Sequence, residues 1–375
     1  MSKNFPPPRF VFMEVNKRCN LRCTHCDFWQ RDDDDKANYF STERKLAIMD
    51  EFSSMNPNGN IVVCGGEPML DLEDYFNICK GARERGLRIL SVVNGTRIRR
   101  AEMAERMITE GPHEISISLN SHDPALHDET RGVKGAFDKA VNALRLLVAA
   151  KKKLGASDTR IYVMGLIYKR NAHHIDEFYN LVLNDIGADQ LKLNFIQPSF
   201  GQLGDVDPFF RDEGEVDAEQ LTQSIRAANE KYGLDLNPAW IDNVDMYFQS
   251  LEGIEDRSKG WGSGSGTRDH ICNTYERNVM INHYGVARLC FSDQFPGKTL
   301  TKAGDFQDFW ENASMIRARM RRCNQFCGIS HSVRRESSTL KGRAKLDAHV
   351  DTHGEVPAPS LKTEIELGVR KILSR

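Results

Sequence analysis

Strand-like and helix-like segments alternate six times between about residue 10 and residue 196, and that alternation constrains the fold more than any other feature of the chain. The apolar runs are RFVFMEV, NIVVC (60–64), LRILSVV (87–93), EISISLN (114–120), RIYVMGLI (160–167) and QLKLNFI (190–196). Between them lie TERKLAIMDEFSSM, LEDYFNICKGARER, GAFDKAVNALRLLVAAKKK and HIDEFYNLVLND, with apolar residues at three- and four-residue spacing. Such spacing puts one apolar stripe on a helix, whereas the short runs read as strands. Repeated strand-helix units predict an α/β fold with a parallel sheet and right-handed crossovers. In such folds the loops after the strands carry the chemistry.

CNLRCTHC (19–26) follows the first run directly and so belongs at that functional end. The chain has nine cysteines, no signal-peptide pattern and no run long enough to span a membrane, which predicts a cytoplasmic protein whose thiols bind metal or do redox chemistry. A net charge of −2 gives no basic excess, so neither nucleic acid nor a membrane is an expected partner. The acidic run 32–36 (DDDDK) reads as a solvated loop. Cys19, Cys23 and Cys26 offer three thiolates, the ligands of iron–sulfur centres. A four-iron cluster bound by three cysteines keeps one iron open for an exchangeable ligand. Zinc is the alternative, with His25 as a fourth ligand.

These residues resemble the motif of the radical S-adenosylmethionine (SAM) enzymes, and CGGEP (64–68), after the second strand, resembles that family's Gly-Gly-Glu-Pro. The resemblance implies a partial (β/α)6 TIM-like barrel, a [4Fe–4S] cluster on Cys19, Cys23 and Cys26, and SAM as the exchangeable ligand. It implies SAM contacts from Gly65, Gly66 and Glu67, from Phe28 near adenine, and from Asn94 (VVNGT) on the ribose side. Ser118 (SISLN) and Arg131 (ETRG) match positions that hold the SAM carboxylate, and Leu166 matches the apolar adenine-packing region. Where relatives often read Ser-Leu-Asp-Gly, this chain reads Ser118-Leu119-Asn120-Ser121. The implied chemistry is one-electron cleavage of SAM to a 5′-deoxyadenosyl radical, which takes hydrogen from substrate. An electron donor such as flavodoxin or ferredoxin is the implied partner.

Beyond residue 268 cysteines recur at Cys272, Cys290, Cys323 and Cys327, with Gly285 ahead of Cys290. The pattern resembles the C-terminal extension of the SPASM/Twitch branch, and four thiols match one auxiliary [4Fe–4S] cluster. A zinc site or unliganded core cysteines are the alternatives. His270, His283 and His331 are near enough in sequence to replace a cysteine. The expected organisation is a barrel over 1–215, a helical connection with a Gly/Ser-rich linker over 216–268, the Twitch/SPASM-like domain over 269–335, and a tail over 336–375.

An auxiliary cluster suits oxidation, so the reading is dehydrogenation of a small sugar- or cyclitol-like substrate. Peptide or protein modification is the rival; with the first strand expected by about residue 10, no leader-binding domain is expected before it, which favours a small substrate, although protein-modifying members without such a domain exist. An epimerase is a further alternative, with Cys64 as hydrogen donor, and a non-catalytic iron–sulfur carrier is the last. Cys79, on a helix, reads as packing. Lys192 and Asn194 share the polar face of the sixth strand and are candidates to meet substrate.

Overall fold

In Phe10–Glu14 (β1), Val11 and Met13 are fully buried, while Phe10, Phe12 and Glu14 are half-buried on the opposite face. That difference between two faces recurs along most of the sheet. The computed structural model describes residues 6–26, 28–30, 38–197, 208–249, 270–272, 274–291, 295–321 and 332–334. The acidic run 32–36, the linker 258–268, Cys323, Cys327, His331 and the tail 336–375 lie outside the described residues.

The chain continues through Thr42–Met55 (α1), Asn60–Cys64 (β2), Leu72–Glu84 (α2), Arg88–Val93 (β3) and Ala101–Thr109 (α3). Then come Glu114–Ser118 (β4), Pro124–Arg131 (α4), Ala136–Leu154 (α5), Arg160–Ile167 (β5), Ile175–Asn180 (α6) and Gln190–Phe195 (β6). Local chemistry sets several boundaries. Ser41 caps α1 by accepting from Arg44 N, and Asp123 caps α4 by accepting from Ala125 N and Leu126 N, with Pro124 as the first helical residue.

β1 to β6 pair in parallel and in chain order, from Phe10↔Asn60 to Ile167↔Phe195. Ile61, Val63, Ile89, Ile115, Ile117, Ile161 and Val163 join one core with Ile48, Met49 and Phe52 of α1, Cys79 of α2 and Leu144 and Leu147 of α5. Truncating a side chain such as Phe52 there would cost about 3–5 kcal/mol. The alternate residues, Cys64, Ser118, Leu166, Lys192 and Asn194 among them, turn to the inner face of this partial (β/α)6 barrel.

Pro208–Glu213 (α7), Ala218–Tyr232 (α8) and Pro238–Gln249 (α9) follow. Next are His270–Cys272 (β7), Thr274–Arg277 (α10), Asn278–Ile281 (β8), Val286–Arg288 (β9) and Lys298–Thr299 (β10). Asp305–Asn312 (α11), Ser314–Arg321 (α12) and Ser332–Arg334 (β11) come last. β8 pairs in parallel with β1, Phe10↔Asn278, and β9 and β10 extend the sheet antiparallel. The extension therefore returns to the barrel's first strand. β7 and β11 form a separate pair in which Ser332 faces Cys272. No helix among the described residues is long and apolar enough to cross a membrane.

Candidate active site at the carboxyl ends of the strands

Two loops after β1 and β2 are joined backbone to backbone. Val15 N donates to Cys64 O at 2.9 Å, Gly66 N to Asn16 O at 2.9 Å, and Glu67 N to Arg18 O at 2.7 Å. The contact leaves no room for side chains. A Cβ on Gly65 would lie 2.4 Å from Asn16 O, and one on Gly66 2.1 Å from Arg18 O. Gly65 also has φ of +133°, which L side chains rarely adopt. The paired glycines thus answer first to the neighbouring loop, independently of any ligand. Asn16, fully buried, adds bonds from Nδ2 to Glu67 O (3.1 Å) and Asp71 Oδ2 (3.0 Å).

Glu67 is 1% exposed. Its Oε1 accepts from Met69 N at 3.0 Å and its Oε2 from Asn94 N at 2.7 Å, so its carboxyl group ties β2's loop to the end of β3. Burial pushes its pKa up to about 7, outweighing the two N–H groups that favour the charged form. Asn94 gives Nδ2 to Asn20 Oδ1 (2.9 Å) and accepts Thr96 N and Oγ1 (2.9 and 2.7 Å), while Asn20 Nδ2 reaches Thr96 Oγ1 at 2.8 Å. This closed ring fixes the cysteine loop against β3.

On its other side the cysteine loop meets the end of α4. Arg22 N and Thr24 N donate to Arg131 O and Thr130 O, both at 3.0 Å, satisfying carbonyls that a helix end leaves free. Arg131 is 7% exposed; Nη1 lies 3.6 Å from Cys23 Sγ and Nη2 2.9 Å from Asn120 Oδ1, while Nε is buried without a partner. Asn120 also donates Nδ2 to Thr130 Oγ1 (3.0 Å), and its backbone N donates to His127 Nδ1 (3.0 Å). An aspartate at this position would lose the Nδ2 donor, which accounts locally for the Asn. Burial lowers the His127 pKa to about 2 and the His25 pKa to about 3, so both rings are neutral.

Cys19, Cys23 and Cys26 pack in one small cluster with Leu21, Val133 and Ala136. Leu21 N donates to Cys19 Sγ at 3.5 Å, Cys26 N to Cys23 O at 3.3 Å, and Trp29 Nε1 to Cys23 O at 2.9 Å. Phe28 lies beside Trp29 in the short turn Phe28–Gln30. Burial raises the Cys19 thiol to about 11, so a thiolate there calls for a cation. Three thiols without a carboxylate suit soft metal centres. Among the described residues no three His, Cys, Asp or Glu side chains converge on a point that could hold a single metal ion. A cubane is bound at its corners and makes no such demand for convergence on one point. The close glycine loop, the unpartnered Arg131 Nε and the thiol set fit an iron–sulfur cluster with a carboxylate-bearing ligand beside it.

The other sequence-derived residues are spread along the inner face. Ser118 and Leu166 end or nearly end β4 and β5, half-buried, and exposed Asn194 pairs in register with Leu166. Lys192 shares that face but leans toward the amino ends of the strands: its Nζ is 3.3 Å from Glu114, the first residue of β4, and 3.6 Å from the centroid of the Tyr162 ring. Cys64 is the register partner of Glu14, and burial, with Glu14's charge behind it, pushes its thiol far up. Cys290 is buried after β9, and Gly285 has φ of +80° with the Phe40 ring where a Cβ would be. Cys272 lies on β7, whose partner β11 begins shortly after Cys327 in sequence. Asn16, Asn20, Thr96 and His127 also build the site: Asn20 was marked as part of the cysteine motif and Thr96 only as the end of VVNGT, while nothing in the spacing of Asn16 or His127 marked them; Asn120 was marked only as a departure from the family's aspartate.

Residues 13–182 match the Radical SAM superfamily. Over 142 residues the chain is 34% identical to the AdoMet-dependent heme synthase of Nitratidesulfovibrio vulgaris, covering 38% of each protein. It is 26% identical over 324 residues to mycofactocin maturase MftC of Mycobacterium tuberculosis, covering 83% of this chain and 72% of that protein. The chain spans 38% and 52% of the length of two heme synthases that it matches. The S-adenosylmethionine-bound structure of Streptococcus suis SuiB is similar with a TM-score of 0.60 at 14% identity, over 83% of this chain and 67% of that one. AdoMet-bound anSMEcpe gives 0.55 at 14% identity, over 92% and 94%. The two structural likenesses are ones of fold.

Proposed function

We propose that this chain is a radical SAM oxidoreductase. The observation that carries the reading is the junction of the three-thiol loop with Gly65, Gly66 and Arg131 at the carboxyl ends of β1, β2 and α4. Cluster and SAM, when bound, supply a 5′-deoxyadenosyl radical that removes hydrogen from an unactivated carbon. Cys19, Cys23 and Cys26 hold the cluster. Backbone groups of Gly65 and Gly66, placed by Glu67 and Asn94, receive the SAM amino group, and Arg131 takes its carboxylate with Ser118 nearby. Phe28 and Leu166 line the adenine. Cys272, Cys290, Cys323 and Cys327 hold an auxiliary [4Fe–4S] cluster that accepts an electron, and a flavodoxin or ferredoxin supplies the first one.

The substrate we propose is a small hydroxylated molecule of sugar or cyclitol type, oxidised by loss of two hydrogens. Polar Asn194 and Ser118 on the inner face are compatible with it. A peptide substrate is the second reading, favoured by the likeness to a mycofactocin maturase over 83% of this chain. Anaerobically reconstituted protein, reduced with dithionite and given inositols, hexosamines or a precursor peptide encoded by a neighbouring gene, decides between them. One 5′-deoxyadenosine per product two hydrogens lighter supports oxidation. Unchanged mass with solvent deuterium at carbon means epimerisation and makes Cys64 the hydrogen donor. No 5′-deoxyadenosine with any of them ends the reading.

A further inference from the structure

His283 is a buried base outside the cysteine and glycine loops. His283 lies in the turn between β8 and β9, and because β8 runs parallel to β1 this turn emerges at the carboxyl ends of the strands. Its Nδ1 is 2.9 Å from Glu14 Oε2, and its backbone N is 3.4 Å from the same oxygen. Glu14 ends β1 on the inner face, in register with Cys64. A carboxylate only accepts, so Nδ1–H donates its hydrogen bond to Glu14, and in that tautomer the Nε2 lone pair faces outward from the pair. His283 is 5% exposed, walled by Tyr39 and Tyr284 with ring centroids at 5.2 and 4.2 Å, and its Nε2 is buried with no hydrogen-bond partner. A nitrogen buried in this way is costly unless a ligand meets it.

We propose that His283 is the proton acceptor of the oxidation and that Glu14 is its positioning residue; this rests on the oxidoreductase reading above. Once hydrogen has left the substrate carbon, the hydroxyl O–H bond breaks and its proton passes to Nε2. The carbon–oxygen π bond forms, and the remaining electron leaves to an iron–sulfur cluster of the extension as one-electron acceptor. The substrate ends two hydrogens poorer, and atoms and electrons balance. An imidazole backed by a carboxylate is also what a metal-ligating histidine shows, so iron content must separate the two roles.

The test compares the full reconstituted chain with its His283→Gly, His283→Gln and Glu14→Gln variants. In histidine-¹⁵N-labelled protein, His283 is expected as the Nδ1–H tautomer, and Glu14→Gln should alter that signal. Iron content and SAM binding by equilibrium dialysis should stay within twofold in His283→Gly. Product per 5′-deoxyadenosine, on whichever inositol or hexosamine the wild type oxidises, should fall at least tenfold in His283→Gly, and added imidazole should restore it. Loss of about half the iron would make His283 a ligand and overturn the proposal. So would an Nε2–H tautomer, or full product yield from either His283 variant. If the wild type releases 5′-deoxyadenosine but oxidises no member of the panel, the substrate reading fails by itself, and the tautomer decides whether His283 stands as a free base.

Discussion

A first side-chain carbon at Gly66 would lie 2.1 Å from the carbonyl oxygen of Arg18, inside the contact distance of any two atoms. The cysteine loop and the glycine loop are therefore one structural unit, and whatever disturbs one moves the other. Gly66→Ala should destabilise the chain by about 1–3 kcal/mol, the usual cost of overpacking, and lower its iron loading. Thermal denaturation and iron analysis measure both. A variant with wild-type melting and iron would show that the two loops separate freely.

Glu67 links stability to pH. Its folded pKa, about 7, lies above the ordinary glutamate value of 4.5, because burial disfavours the charged form. Stability from the neutral carboxyl is complete below pH 4.5 and is lost as pH rises through about 7, by roughly 3 kcal/mol in all. Urea unfolding between pH 4.5 and 8 should show this decline in the wild type and a flatter profile in Glu67→Gln. Parallel profiles would mean that the two N–H groups keep Glu67 ionised throughout.

Arg131 presents a fork, and lysine cannot reproduce it. Arg131→Lys should weaken SAM binding by about 1.5–3 kcal/mol, a ten- to hundredfold loss. Equilibrium dialysis of reconstituted protein reads it, and unchanged affinity would remove Arg131 from the SAM site.

Replacing Cys19, Cys23 and Cys26 together by Ala should remove one cluster and stop reductive SAM cleavage, since these thiols are the iron ligands proposed for the loop. Release of 5′-deoxyadenosine by the triple variant after dithionite reduction would refute the assignment.

With both proposed clusters in place, iron should approach about eight per chain. A carefully reconstituted protein that holds about four irons and one zinc has no auxiliary cluster. An Ala change at Cys323 or Cys327 separates the functions in another way: some SAM cleavage should persist while product formation stops, as the product assay would show.

The sequence by itself determined the six strand-helix units, the end of the sheet that bears the site, and the two loop motifs. Each is a local pattern: alternation of period two, stripes at three and four residues, or residues a few positions apart. Alternation also decided which face Lys192 shares, because successive strand residues point to opposite sides. It could not decide which way along the barrel the long side chain leans, and Glu114 and the Tyr162 ring draw it away from the cysteine loop. Only the tertiary structure joined Asn94 to Asn20 across 74 positions and Arg131 to Cys23 across 108. Only it returned β8 to β1 and so set His283 against Glu14, 269 positions apart. A hydrogen bond between distant residues leaves no periodic trace in the chain: either partner alone reads as an ordinary polar residue, and packing of the sheet creates the pair.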